Sequence, residues 1–340
     1  MALTGAQIIS VATVYGYVAI WIGLSGAVIL FNKWILAFYG FPYPIALTMM
    51  HMGFCSTVAF VMIKTGFVKG CDIGMETYLK AVAPIGLLYS GVLWLGNAAY
   101  LYLSVSFIQM LKALMPVAVF CVGNVFGTEK FDWSTLSNMI VISIGVCIAS
   151  FGEINFVVAG VVMQLMSIVM ESSRLTLVQL LLQSRGLKLN PITSLYYISP
   201  ACFVFLSIPF ALYEAPRMMS DTNWKFGFWI MLLNCVVAFG LNLAVFLLIG
   251  KTSALTMNIA GVVKDWMLIG LSVALYSAPV TKVNLIGYGI SFLAVGWYNY
   301  TKLQRLKKEA DEKAQASEQE MAPLSAKQDS SREASGSAKA

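Results

Sequence analysis

Six ionisable residues stand inside stretches of sequence that are otherwise apolar: Lys33, Lys112, Glu171, Arg174, Lys264 and Asp265. Near the centre of a bilayer each such group costs about 2.5–3.5 kcal/mol on insertion scales, so each marks a candidate site. Left uncompensated, the set would cost on the order of 15–20 kcal/mol, more than the ordinary margin of stability. They must therefore pair, face a wet cavity, or wait for an anion. Glu171 and Arg174 are three apart, share a helix face and can form an ion pair. Lys264 and Asp265 are adjacent, about 100° apart around a helix, which predicts that Lys264 faces a cavity while Asp265 anchors its helix to a neighbour. Lys33 lies near a helix end and has two readings, a snorkelling side chain and a substrate contact. The chemistry that fits the set is the holding of a small anion. Catalysis would need paired carboxylates, a metal cluster or a nucleophile beside its base, and these residues offer no such motif.

Lys112 is followed by Pro116, which removes a backbone hydrogen bond and bends a helix where it can open onto a cavity. Asn97, Gln109, Gln164, Tyr196, Tyr197, Asn242 and Asn258 could supply hydrogen bonds to a sugar or a base, the plainer reading of each being glue between helices. The one histidine, His51, sits among Met49, Met50 and Met52 without a second histidine or cysteine at ligand spacing, which favours packing over metal binding. The six cysteines are scattered, with no C-x-x-C pair, and are read as small apolar packing residues. Neither a metal nor a cofactor is expected.

The elements that must position these side chains are membrane helices. Hydrophobic residues make up 59% of the chain and charged residues 11%, against about 45–50% and about 25% in soluble domains. The apolar residues come in runs of about 20, the length that crosses a hydrocarbon core. Ten runs are placed at 14–38, 44–63, 81–102, 104–126, 134–151, 156–182, 192–213, 226–249, 252–276 and 283–301. With the amino terminus in the cytosol, the cytosolic loops hold Lys64, Lys69, Lys80, Lys130, Arg185, Lys188, Lys251, Lys302, Arg305, Lys307 and Lys308. The opposite side holds only Arg217, Lys225 and Lys282. That bias predicts an even number of spans with both termini cytosolic. Met1–Thr13 carries no charged side chain, so neither a cleaved signal nor a transit arm is expected there.

The fold class predicted is an all-α membrane protein, ten transmembrane helices arranged as two inverted five-helix repeats, 1–152 and 153–303. Five is an odd number, so a duplicated unit enters the membrane upside down, the plan of many transporters with a site near the midplane. The fourth and ninth runs match in character, each carrying one lysine, Lys112 and Lys264. Residues 304–340 are rich in Ala, Ser, Glu, Lys and Gln and read as a disordered cytosolic tail.

Four segments carry a family likeness: Asn32-Lys33-Trp34-Ile35-Leu36, YLSVSFIQMLKALMPV at 102–117, LKLNPITSLYYISP at 187–200 and GKTSALTMNIAGVVKDW at 250–266. On these the chain resembles the nucleotide-sugar and triose-phosphate translocator family of the drug/metabolite transporter superfamily. The Lys264–Asp265 pair resembles the signature of its plant and algal "KD" branch. The resemblance implies that Lys264, Lys112, Arg174, Glu171, Tyr196, Tyr197, Asn97, Asn258 and Lys33 contact substrate. Plastid phosphate translocators have Lys-Arg in place of Lys264–Asp265 and a further lysine where this chain reads Leu175 to Gln179. GDP-mannose carriers bear asparagines where it reads Ile198-Ser199 and Val263.

These departures lead to an expected function: Golgi or endomembrane antiport of a cytosolic UDP-sugar, a UDP-pentose such as UDP-arabinofuranose, against UMP. The alternative is a sugar-phosphate/phosphate antiporter of the triose-phosphate type. The partners expected are a nucleotide sugar and a nucleoside monophosphate, membrane lipid and a second copy of the chain as a homodimer, with no nucleic acid.

Overall fold

The computed structural model describes residues 5–305 apart from 71–72, 129–130, 186–190, 222 and 250–253. The side chains of 5–15, 81, 178–191, 245–259 and 262 also lie outside the description. Among the described residues all regular structure is helical. Helix α1 (Gly5–Trp34) continues through a π turn (Ile35–Tyr39) and stops at Gly40, whose φ of 97° suits glycine alone. Helix α2 (Pro44–Lys64) opens on a proline, where the missing N–H does no harm. The short α3 (Met75–Thr77) and a π turn (Tyr78–Val82) lead into α4 (Ala83–Tyr102).

Ser104 caps α5 (Val105–Lys112), its hydroxyl accepting from Phe107 N at 3.1 Å. After α6 (Met115–Val125), Asp132 caps α7 (Trp133–Phe151) by accepting from Thr135 N at 2.9 Å. Then follow α8 (Val158–Arg185), α9 (Pro191–Pro209) with a π turn (Phe210–Glu214), α10 (Ala215–Ser220), α11 (Phe228–Ile249), α12 (Ala254–Tyr276) and α13 over 282–305. Six helices among the described residues are long and apolar enough to cross a membrane. Their outer faces carry exposed apolar side chains, such as Ile140, Ile144 and Phe151 on α7 and Val162, Met166 and Val169 on α8. Water would not tolerate a surface of that kind and lipid would.

Chain contacts separate a body, Met1–Ala294, from a second unit starting at Val295. Within that second unit Trp297 and Tyr300 pack ring to ring at 6.2 Å; residues 306–340, most of the expected tail, lie outside the description. In the body, α1 packs on α11, α4 on α8, α2 on α9, α4 on α9, α2 on α11, α6 on α8, α1 on α12 and α5 on α12. Helices α7 and α13 approach closely because glycine lines the crossing. A Cβ on Gly145 would stand 2.7 Å from Gly287 O, and one on Gly287 would stand 2.6 Å from Gly145 O. The released space lets Ser291 Oγ donate to Ile142 O at 3.0 Å and Asn284 Nδ2 to Ala149 O at 2.6 Å.

Two buried charges fasten one end of the body. Lys33 Nζ donates to Tyr100 O at 2.6 Å and to Leu103 O at 3.0 Å, a cation at the carbonyl end of α4. The Glu214 carboxylate accepts from Ile45 N at 2.9 Å and Ala46 N at 2.8 Å, an anion at the N–H end of α2. Beside them Phe41, Tyr43 and Trp224 pack edge to face, as do Trp224 and Phe226, and Lys225 N donates to Gly40 O at 2.9 Å. The reading of Lys33 as a snorkelling side chain is corrected here. It is 9% exposed, because two carbonyls left open by the end of α4 are closer than any headgroup.

Candidate functional site

The site is built around a helix break. Pro116 has no N–H to give to the carbonyl four residues back, which is that of Lys112. The backbone answers by ending α5 at Lys112, making a tight turn through Ala113 and Leu114, and starting α6 at Met115. Ala113 N donates to Met110 O at 3.1 Å and Leu114 N to Leu111 O at 3.0 Å in that turn. Where a bend was predicted, the helix is interrupted, and Lys112 stands at the interruption. Its side chain lines a cavity of about 290 Å³ together with Asn97, Gln164, Ser167 and Glu171. Gln164 is 1% exposed and its Oε1 has no hydrogen-bond partner. Gln109, one turn before Lys112, is equally buried, and neither its oxygen nor its nitrogen is bonded. Such orphaned amides cost about 1–3 kcal/mol each, a debt that a polar ligand could relieve.

The charges around the cavity are unevenly matched. Arg174 Nε donates to Glu171 Oε2 at 2.8 Å and Nη2 to Oε1 at 2.6 Å, the two-pronged geometry that most strongly fixes a guanidinium on a carboxylate. The guanidinium also lies over the Tyr89 ring, 4.9 Å from its centroid. Lys264 stands 5.3 Å from the centroid of the Trp21 ring, with Asp265 Oδ1 at 3.7 Å. Lys112 is within electrostatic range of Glu171, Asp265 and Lys264, yet among the described residues no hydrogen bond or ion pair holds it. Three cations thus share two carboxylates, one of which Arg174 already occupies. The arrangement retains one positive charge for a ligand. It contains no nucleophile poised beside a base, and among the described residues no group of three or more His, Cys, Asp or Glu could hold a metal ion.

Residues 12–299 match the model of the triose-phosphate transporter family. The chain belongs to that family. Among its relatives are two Arabidopsis thaliana proteins that are each 54% identical and each named "Probable sugar phosphate/phosphate translocator". One matches over 91% of this chain and 90% of its own length, the other over 92% and 90%. A third Arabidopsis thaliana protein with that name is 52% identical over 94% of this chain and 93% of its own length.

The structure brings Asn97, Lys112, Glu171 and Arg174 together around this cavity, with Lys264 beside them. It does not bring the tyrosines. Tyr196 packs among Cys55, Ala59, Ile192 and Leu195 and stacks on Phe60, while the Tyr197 hydroxyl accepts from Ile73 N at 3.3 Å. Tyr196 thus packs with α2 and Tyr197 with the segment around Ile73 and Tyr78, and neither is among the residues lining the cavity. Lys33 is held by the α4 carbonyls. Asp265, expected to anchor its helix to a neighbour, makes an ion pair with Lys264 on its own helix at 3.7 Å, because a long lysine side chain can bend back across the 100° that separates the two. Asn258 has its side chain outside the described residues.

Sequence reasoning missed a polar ring beside the cavity, four side-chain hydrogen bonds in a row whose two ends, His51 and Thr48, are joined only through the backbone of α2. His51 Nε2 bonds Asn234 Oδ1, Asn234 Nδ2 donates to Asn32 Oδ1 at 3.0 Å, Asn32 Nδ2 to Asn97 Oδ1 at 3.1 Å, and Asn97 Nδ2 to Thr48 Oγ1 at 3.1 Å. The signal available was an asparagine in each of three apolar runs, with His51 and Thr48 in a fourth; their meeting point was not encoded locally.

Proposed function

We propose that the protein is an antiporter that exchanges a small sugar phosphate for inorganic phosphate across a membrane. The observation that carries this reading is Lys112, a cation with no hydrogen-bonded or ion-paired partner, set at a helix break and lining an internal cavity with Lys264 close by. A phosphate offers acceptor oxygens and negative charge together, which is what such a lysine lacks. The names of the relatives support a sugar phosphate over the UDP-sugar and UMP suggested by the sequence departures.

Exchange rather than one-way flow follows from the charge. An empty site leaves an uncompensated cation in a low-dielectric interior, so reorientation is slow until an anion neutralises it. Either substrate can do so, and each return journey therefore carries one.

The scaffold in this reading is ten spans in two inverted halves, with α1, α2, α4, α5–α6 and α7 in the first and α8, α9, α11, α12 and α13 in the second. The packing supports it. Exchange each helix with its counterpart and the contact of α1 with α11 becomes that of α8 with α4. Likewise α2 with α11 becomes α9 with α4, α6 with α8 becomes α12 with α1, and the α2–α9, α5–α12 and α7–α13 contacts map onto themselves. The same operation relates Lys112 to Lys264. Both termini face the cytosol, supported by the basic loops, and the membrane is that of the Golgi or another endomembrane compartment.

Purified protein in liposomes preloaded with inorganic phosphate should take up labelled triose or pentose phosphate, and preloading with UMP should not drive uptake of UDP-sugars. Uptake of a UDP-sugar that requires internal UMP, with no sugar phosphate carried, would overturn the proposal.

A further inference from the structure

A second cavity, of about 180 Å³, adjoins the first, and the two share Leu93, Asn97 and Tyr100 among their walls. Their chemistry differs sharply. The first holds Lys112 and Glu171, whereas among the described residues no Asp, Glu, Lys or Arg lines the second. Its polar lining is Asn32, His51, Asn97 and Asn242, and the tyrosines Tyr89 and Tyr100 supply aromatic surface.

The polar ring fixes how these groups face the cavity. An asparagine amide has two N–H donors and two oxygen lone pairs. Asn32 and Asn97 each use one donor and one lone pair in the ring, so each retains one of both kinds. Asn234 gives its amide N–H to Asn32, so its oxygen faces His51 and Nε2 of the imidazole carries the proton, leaving Nδ1 as an acceptor. Asn242 Nδ2 donates to Ala238 O at 2.9 Å within its own helix, which leaves Oδ1 open. The remaining capacity is mixed, donors and acceptors side by side, all of it uncharged.

Three kinds of occupant can be weighed against that lining. A phosphate group only accepts, so it would meet the oxygens of Asn32, Asn97 and Asn242, while Arg174, which lies over the Tyr89 ring, is already held by Glu171. An alkyl group would leave the amides unsatisfied. A hydroxyl both donates and accepts, and the C–H faces of a polyol suit the tyrosine rings. We propose that this second cavity is a subsite for the uncharged, hydroxyl-bearing part of a substrate whose phosphate sits at Lys112. The favoured class is then a phosphorylated polyol over bare phosphate or an unhydroxylated phosphate ester, an inference that rests on the sugar-phosphate reading above.

Competition against labelled phosphate uptake in proteoliposomes tests it, with glycerol 3-phosphate, triose phosphate and n-propyl phosphate as probes. They share a phosphate monoester and a three-carbon body and differ in oxygen substitution. The native protein should prefer the oxygenated esters to n-propyl phosphate by tenfold or more, and Asn242→Leu should reduce that ratio to threefold or less. Asn242→Ser, which keeps a short hydroxyl, should give an intermediate ratio. Equal competition by n-propyl phosphate in the native protein would overturn the subsite, whether or not the variants fold. So would an unchanged ratio in a folded Asn242→Leu protein. A native protein that exchanges no phosphate compound at all would instead sink the sugar-phosphate reading, and the subsite with it.

Discussion

Lys112 owes its place to a residue four positions away. The carbonyl of Lys112 would accept from residue 116 in an unbroken helix, and Pro116 withholds that bond, so α5 ends where the ammonium is needed. The charge-assisted contact from this ammonium to a phosphate is worth about 1.5–3 kcal/mol. Lys112→Ala should therefore slow exchange and weaken binding of both substrates by roughly 10- to 100-fold, since about 1.4 kcal/mol is a factor of ten. Lys264→Ala should act in the same direction. Lys112→Arg should restore little, because a planar fork replaces a compact point charge. The opposing forecast treats the lysines as structural partners of Glu171 and Asp265. On that view the alanine variants would melt early and exchange normally once folded, so transport and thermal unfolding measured on one preparation separate the two. The identities of the charged residues, and their expense in an apolar run, were legible from the sequence; the pairing of Glu171 with Arg174 was legible too, since three residues along a helix is a contact distance. The bending back of Lys264 onto Asp265 was not, because side-chain rotamers depend on neighbours from other helices.

Helices in this molecule are held at their ends as much as along their sides. Lys33 reaches two carbonyls at the end of α4, and Glu214 reaches two amides at the start of α2. Each joins segments distant in sequence, and each places a charge at the helix end whose dipole favours it. Lys33→Met leaves two carbonyls unpaired and removes a buried cation. It should lower the unfolding temperature in detergent clearly, with the affinity for phosphate within about twofold of native. A loss of affinity beyond about tenfold without loss of stability would return Lys33 to the list of substrate contacts. Several element ends follow from the local residues: Pro44 opens α2, Ser104 and Asp132 cap α5 and α7, and Gly40 closes the first long helix. The ring that joins His51, Asn234, Asn32, Asn97 and Thr48 had no such local signal, because its members come from α2, α11, α1 and α4.

Among the described residues of the body, large apolar side chains are exposed along α7 and α8 while Asn32, Lys33, His51, Asn97 and Gln164 are buried. Lipid, unlike water, gives no hydrophobic drive for helices to associate, so close packing and interhelical hydrogen bonds have to hold the body together. The glycine-lined crossing of α7 with α13 and the asparagine ring are the instances seen here. The basic loops set the orientation proposed above. In sealed endomembrane vesicles, protease added outside should remove the chain beyond Leu303 and spare the loop around Arg217; a protected carboxy-terminal end would overturn that topology.

By itself the sequence determined the class of the molecule: long apolar runs can be stable only as helices in a bilayer, because every backbone N–H and C=O must be bonded within the run. It also determined that buried charge would be the functional signal, since the energetic penalty for a charge there depends only on its type and surroundings of hydrocarbon. Apart from the Glu171–Arg174 pair, which polar and charged groups meet was decided by tertiary structure. Tyr196, a candidate from α9, packs against α2, while Gln164 and Asn97, from α8 and α4, meet Lys112 at one cavity. The physical reason is that a helix fixes the spacing of its own side chains along and around its axis, but the direction in which each face points follows from how the helices pack, a sum over many contacts from residues far apart in the chain.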